Sequence, residues 1–182
     1  MKRRLADFKA NTPFLVQVKI VIWLTVQNIV FIHFFVPSMI RVALLRFFGA
    51  QIGKFVIIRR GVRVHCPWNL VVGNNCWIGE EAWFINHEKI LIGSNVCISQ
   101  NVVICSSGHD FSSPTLDYKH KAIEIKDGAW VCLKAIVLPG SKVGVNSVIS
   151  AGEIFAGNLD DSHLYIKNAT KPITYKRDYF LD

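Results

Sequence analysis

His109 is the residue of this 182-residue chain best placed to do chemistry. An imidazole titrates near neutral pH and can take a proton from an attacking hydroxyl. It lies in Gly108-His109-Asp110-Phe111, where a regular pattern breaks. Ile92 to His109 reads as three six-residue units, opened by Ile92, Ile98 and Ile104; the polar stretch Asp110–Lys121 follows before the pattern resumes. A regular scaffold that stops beside a histidine is the pattern expected of an active site. The plainer alternative is a loop histidine without a role. His65, His87 and His109 recur every 22 residues, which raises a zinc site. They stand second, fourth and sixth in their hexads, so their side chains are expected to diverge, and no metal centre is expected.

The element that must carry His109 is a repeat. Unit-opening positions from Ile52 onward are all apolar: Ile52, Ile58, Val64, Val72, Ile78, Phe84, Ile92, Ile98, Ile104, Ile125, Val131, Val137, Val143, Ile149 and Phe155. The fifth position is small or β-branched in most units, as at Val56, Cys76, Ala82, Ala129 and Ser147. Periods of 2 or 3.6 do not give this pattern. A period of six fits a triangular coil, with the opening residue inside and the small one at the turn, which predicts a mainly β, parallel β-helix. Insertions follow Val64, Phe84 and Ile104, each the third unit of its set, so all leave from one corner. That predicts a stack of Asn69, Lys89 and His109 along one edge, with the loop 110–121 projecting beside it. The reading gives about five coils over residues 50–160, a C-terminal tail over 161–182, and side-by-side association of prisms.

Residues 1–49 differ in kind. They hold Lys2, Arg3, Arg4, Lys9, Lys19, Arg41 and Arg46 against Asp7 alone, which accounts for +6 of the chain's +8. Between Lys19 and Arg41 no residue carries a formal charge. Two helices are expected, over 14–35 and 37–48, with Pro37 near the start of the second. Cations clustered about an apolar segment point to an anionic membrane surface rather than to nucleic acid. Three arrangements stay open: helices that cap the core and lean on a membrane, purely structural caps, and a true span. Cys66, Cys76, Cys97, Cys105 and Cys132 form no C-x-x-C pair and read as reduced thiols. With no small-residue cleavage site after the apolar stretch, no secretory signal is expected.

Several segments resemble the hexapeptide-repeat acyltransferases, and within them the colanic-acid-type O-acetyltransferases of bacterial surface polysaccharide synthesis. They are L-L-R-F-F-G-A-Q-I-G (44–53), C-P-W-N-L (66–70), I-G-E-E-A-W (78–83), I-S-Q-N (98–101), G-H-D-F (108–111) and D-G-A-W-V (127–131). The resemblance implies a homotrimer of left-handed β-helices with acetyl-CoA between neighbouring prisms, no metal, and His109 as the general base. It further implies that Asn86 contacts the acceptor or the thioester, and that Asp110 orients His109 or binds the acceptor. By the same likeness, Trp130, Leu133, Ala151 and Ala156 line the CoA groove, and Lys171 lies near CoA phosphates. The acceptor is expected to be a sugar or lipid-linked glycan at the cytoplasmic face of the bacterial inner membrane. There are departures from the family pattern: Ala156-Gly157 stands where many relatives have Thr-Lys, and Lys167-Asn168-Ala169-Thr170 where they have Gly-Asn-Pro-Ala. The competing readings are a non-catalytic β-helical scaffold at the membrane and an acyltransferase for an amino sugar or amino acid.

Overall fold

The computed structural model describes residues 12–167 and 169–172. The six-residue period appears as three parallel sheets, the faces of a prism. The first face stacks Gln51–Ile52, Leu70–Val72, Ile90–Ile92, Ile123–Ile125, Lys142–Val143 and Asn158–Leu159. Ile57–Ile58, Trp77–Ile78, Cys97–Ile98, Trp130–Val131, Val148–Ile149 and His163–Ile166 stack on the second. The third holds Arg63–Val64, Trp83–Ile85, Val103–Cys105, Ile136–Val137 and Ile154–Phe155. Alternation along each short strand decides what is inside. Every unit-opening residue predicted to fill the interior is buried. So are the small fifth-position residues, which lie under the turns.

Five coils are complete, and a sixth has two sides. The segment expected to be a tail from residue 161 instead continues the solenoid. His163–Ile166 pairs in parallel with Val148–Ile149, then pairs antiparallel with Ala169–Pro172. The physical reason is apolar: Leu159 is buried and the Tyr165 ring packs edge-on against Phe155 at 5.0 Å, which extends the interior stack. The hairpin occupies the open edge of the second face, which would otherwise present unpaired backbone groups.

Coils approach closely at the corner between the first and second faces. A Cβ built on Gly73 would stand 2.6 Å from the Gly93 carbonyl carbon, and one on Gly53 2.5 Å from the Gly73 oxygen. Gly73→Ala is therefore expected to destabilise by about 1–3 kcal/mol, the usual cost of forcing extra atoms into close packing. An unchanged urea midpoint would contradict this.

Helix α1 covers Phe14–Val26 and runs into a π-helical turn, Gln27–Phe31, while α2 covers Ser38–Phe47. The first helix thus ends earlier than the expected residue 35. The wider turn is locked by tertiary contacts at the first coil. Gln27 Oε1 accepts from the Val64 N–H at 2.7 Å, and Trp23 Nε1 donates to the Val64 carbonyl at 2.6 Å. Trp23 and Phe31 are fully buried against the end of the solenoid. Arg41 of α2 is buried too, and its guanidinium donates to the carbonyls of Phe31, His33 and Ile58. The cap is thereby tied to the solenoid by hydrogen bonds as well as packing.

Candidate active site

The corner between the third and first faces carries the insertions. In the first coil it is filled by a short 3-10 turn, Pro67–Asn69, and in the third by a long loop that pairs back on itself. The Lys119 N–H donates to the Gly108 carbonyl at 2.8 Å, and the Asp110 N–H to the Asp117 carbonyl at 2.8 Å. His109 and Tyr118 face each other across this hairpin-like pairing. The strand register puts Leu70 beside Ile90 and Ile90 beside Ile123. The position above Asn69 and Lys89 is therefore Ala122, not His109. The expected edge stack of Asn69, Lys89 and His109 is corrected: the loop carries the histidine outward.

His109 is exposed, and its Nδ1 lies 2.6 Å from the Leu116 carbonyl. A carbonyl only accepts, so Nδ1 carries the proton and Nε2 is the basic nitrogen of the neutral ring. The loop thus fixes the tautomer that a general base needs. Asp110 does not orient the ring through this bond. Its carboxylate accepts from the Ser112 hydroxyl and N–H and pairs with Lys119 at 3.2 Å. The Ser112 hydroxyl first, then its N–H and Lys119, hold that carboxyl down at about 2, so it stays ionised throughout the working range.

Asn86, expected at the acceptor or the thioester, is fully buried. Its Oδ1 accepts from the Cys66 N–H at 2.9 Å and its Nδ2 donates to the Cys66 carbonyl at 2.6 Å. Both ends of the amide therefore clamp one coil to the next, and the side chain does not reach the surface. That placement corrects the contact expected of it.

His65 and His87 do not diverge as their phases implied, although His109 does. The His65 and His87 rings stack at 4.4 Å, and His87 continues to His120 at 5.2 Å. Tyr118 then lies 4.7 Å from His120 and 5.0 Å from His109. His65 and His87 both stand in the corner that carries the insertions, where a count by hexads does not give side-chain direction. Tyr118 and His120 were not singled out in the sequence; the alternation Tyr118-Lys119-His120 opposite Gly108-His109 was the available signal. His120 Nδ1 accepts from the Gly108 N–H at 3.3 Å, so it supports the backbone that presents His109. Among the described residues, no group of three or more His, Cys, Asp or Glu is arranged to hold a metal ion.

Burial, and then the like charges of His65 and His120, push the His87 imidazole down to about 4 from its ordinary value near 6.5. Burial also lowers His65 and His120. Once the pH falls below about 6.5, the unfolded chain binds protons that the folded column refuses, so stability is lost as pH drops towards 4. The urea midpoint of the wild type is expected to fall more between pH 7 and pH 5 than that of His87→Gln. Equal losses would contradict a neutral column.

Beside the column lies a cavity of about 360 Å3, lined among others by Val16 and Ile20 of α1, Trp68, Asn69, Tyr118 and His120. It is one aromatic ring away from His109.

No protein-family model matches the chain. Over 137 residues, 74% of this chain and 74% of the relative, it is 33% identical to the putative colanic acid biosynthesis acetyltransferase WcaF of Escherichia coli K12. The chain belongs to the hexapeptide-repeat acetyltransferases. Over 122 residues, 65% of this chain and 60% of the relative, it is 26% identical to the galactoside O-acetyltransferase of E. coli K12. Two solved structures share the fold. A galactoside acetyltransferase in complex with coenzyme A superposes with a TM-score of 0.79 at 20% identity, covering 94% of this chain and 90% of that one. A hexapeptide-repeat acetyltransferase of Vibrio cholerae, complexed with acetyl-CoA, gives 0.79 at 14% identity and 89% of each chain. The prism is the left-handed parallel β-helix of this acetyltransferase family.

The positions that the family likeness assigned to CoA fall into separate groups in this acetyltransferase. Leu133 and Ala151 stack on the corner between the second and third faces, where the Gly152 N–H donates to the Leu133 carbonyl at 2.8 Å. Trp130 lies on the adjoining second face, with Nε1 donating to Ser99 Oγ at 2.8 Å. Lys171 is exposed in the terminal hairpin at the edge of that face, paired with Leu164. Ala156 instead follows the last strand of the third face, on the corner that carries His109 lower down. Asn168, one of the departures from the family pattern, lies outside the described residues.

Proposed function

We propose that this acetyltransferase moves the acetyl group of acetyl-CoA to a sugar hydroxyl of a bacterial surface polysaccharide or its lipid-linked precursor, with His109 as general base. The observation that carries the reading is the Nδ1–H bond from His109 to the Leu116 carbonyl, which leaves Nε2 basic on an exposed loop. In the reaction, Nε2 takes the proton of the acceptor hydroxyl as its oxygen attacks the thioester carbonyl. The tetrahedral intermediate then collapses, and the CoA sulfur leaves with the proton returned from Nε2. The Leu116 carbonyl stabilises the imidazolium that exists between the two transfers.

Support for the co-substrate comes from the solved neighbours that bind coenzyme A and acetyl-CoA, and from the outer faces of the prism. Outward residues run Ile57, Trp77, Cys97, Trp130, Val148, Leu164 up the second face. Arg63, Trp83, Val103, Ile136, Ile154 run up the third. The first face is mixed, with Gln51, Glu124, Lys142 and Asn158 among its outward positions. Two largely apolar faces and one mixed face fit a trimer in which neighbouring copies cover the apolar pair. A groove between copies would set the Leu133–Ala151 corner of one prism against the His109 corner of the next, joining groups that one chain holds apart.

The acceptor sugar is assigned to the cavity beside the histidine column, where Trp68 and Tyr118 offer ring faces for a pyranose and Asn69 and the histidines offer polar atoms. Thiol release from acetyl-CoA with a panel of glycan acceptors tests this. The reading expects turnover with sugar acceptors, and about a tenfold rise in acceptor KM for Trp68→Ala with acetyl-CoA affinity unchanged. Transfer to amines but to no hydroxyl would overturn it.

A further inference from the structure

The N-terminal cap has two apolar sides, and the solenoid uses one of them. Val16, Ile20, Trp23, Gln27 and Phe31 form the stripe turned to the solenoid, spaced by three or four residues. Phe14, Leu15, Val21, Ile22 and Ile29 are exposed on the other side, between 52% and 79% of their area open. Beyond α1 the same holds: Phe34 and Phe35 in the connection, and Met39 and Phe47 of α2, are 65–84% exposed. A helix apolar all round is buried in a core or meets lipid, and this one is only half covered. Two polar groups on the open side are satisfied locally. Thr25 Oγ1 donates to the Val21 carbonyl at 2.9 Å, and Gln17 Nε2 to the Thr12 carbonyl at 2.7 Å.

Charge chooses the occupant. Exposed Arg60 and Arg59, the latter ion-paired with Glu80 at 2.7 Å, flank Phe34 across a cavity of about 250 Å3, and exposed Lys19 and Arg46 lie on α1 and α2 themselves, Lys19 with its ammonium 4.2 Å from the Trp68 ring centre. Acidic residues are absent from the described part of this cap, residues 12–49. Protruding aromatic and aliphatic side chains rimmed by cations match an anionic bilayer, where apolar groups enter the acyl boundary and cations meet phosphates. A second copy of the same surface would bring like charges together.

We infer that α1, the Phe34–Phe35 connection and α2 form a docking surface for the face of an anionic lipid bilayer, with α1 lying in the membrane plane. Phe14–Phe31 is long and apolar enough to cross a bilayer by length and composition alone. Crossing would pull Trp23, Gln27 and Phe31 off the solenoid and strand the Val64 N–H and carbonyl that they satisfy. Lying in the plane keeps all of these contacts. The same helix lines the cavity beside His109, so its placement sets that cavity against the membrane surface. The docking itself stands whether or not the acetyl-transfer reading holds.

The test is co-sedimentation of the full chain with vesicles of phosphatidylcholine alone or mixed with phosphatidylglycerol. The full chain is expected to bind the mixed vesicles at least about tenfold more tightly, through several cations near the surface. Val21→Glu and Phe34→Glu are each expected to weaken that binding at least about tenfold, given the apolar burial lost. Their circular dichroism and thermal melts are expected to match wild type, because both side chains are exposed; Phe34 lies outside the helices and covers the case in which Val21→Glu misfolds. Alkaline carbonate is expected to release the bound protein. Failure to bind either vesicle would overturn the inference, as would undiminished binding by both folded variants. Self-association that either variant abolishes, without vesicle binding, would assign the surface to a second copy. Resistance to carbonate would point to a span and overturn the in-plane placement.

Discussion

His109→Gln is expected to lower kcat for acetyl transfer by about 10²–10⁴-fold, the usual contribution of a positioned general base. Acetyl-CoA affinity is expected to stay within a few-fold of wild type, because the substitution removes a proton acceptor rather than a binding surface. The reason for so large a loss is geometric. The loop hairpin sets His109 opposite Tyr118, the Leu116 carbonyl fixes Nδ1–H, and the Gly108 N–H is held by His120. A glutamine amide cannot take the proton, however well it fits. Asp110→Asn is expected to do much less, since that carboxylate is occupied by Ser112 and Lys119 rather than by the imidazole. Steady-state kinetics on the folded variants decides between the two. Near-wild-type turnover in His109→Gln would remove the base from this loop.

Phe84→Ala is expected to cost about 3–5 kcal/mol of folding stability, the range for deleting a buried aromatic side chain. Phe84 opens the third-face unit of the second coil, is 1% exposed, and stands between Val64 below and Ile104 above. In a stacked solenoid each coil is stabilised chiefly by its neighbours, so a cavity here weakens the joints on both sides. It also lies one coil below the strand that launches the His109 loop. Urea unfolding followed by circular dichroism is expected to show a lower midpoint. A loss below about 1 kcal/mol would mean that the coil collapses around the cavity without penalty.

The interior of the solenoid was legible because it is periodic. All fifteen unit-opening residues named from the sequence are buried, from Ile52 to Phe155, since a triangular coil leaves one inward position per side. The site was legible only in outline. His109 could be named from the break in the pattern, but Leu116, Tyr118 and His120 could not. Their arrangement depends on how the loop folds back, and a non-periodic loop carries no such count. Asn86 shows the converse error. The family likeness pointed it at the acceptor or the thioester, yet an asparagine at a turn also bonds a neighbouring backbone well, and here Cys66 takes both of its groups. The last coil was hidden for a similar reason. His163–Ile166 breaks the hexapeptide spelling while Leu159 and Tyr165 still stack on the interior.

Calorimetric titration of acetyl-CoA into the purified protein is the measurement to make first. Saturable binding at micromolar to sub-millimolar concentration, kept in His109→Gln and weakened in Trp130→Ala, is the predicted result. No detectable binding at millimolar acetyl-CoA, by a protein whose circular dichroism shows it folded, would contradict the assignment of this chain as a working acetyltransferase.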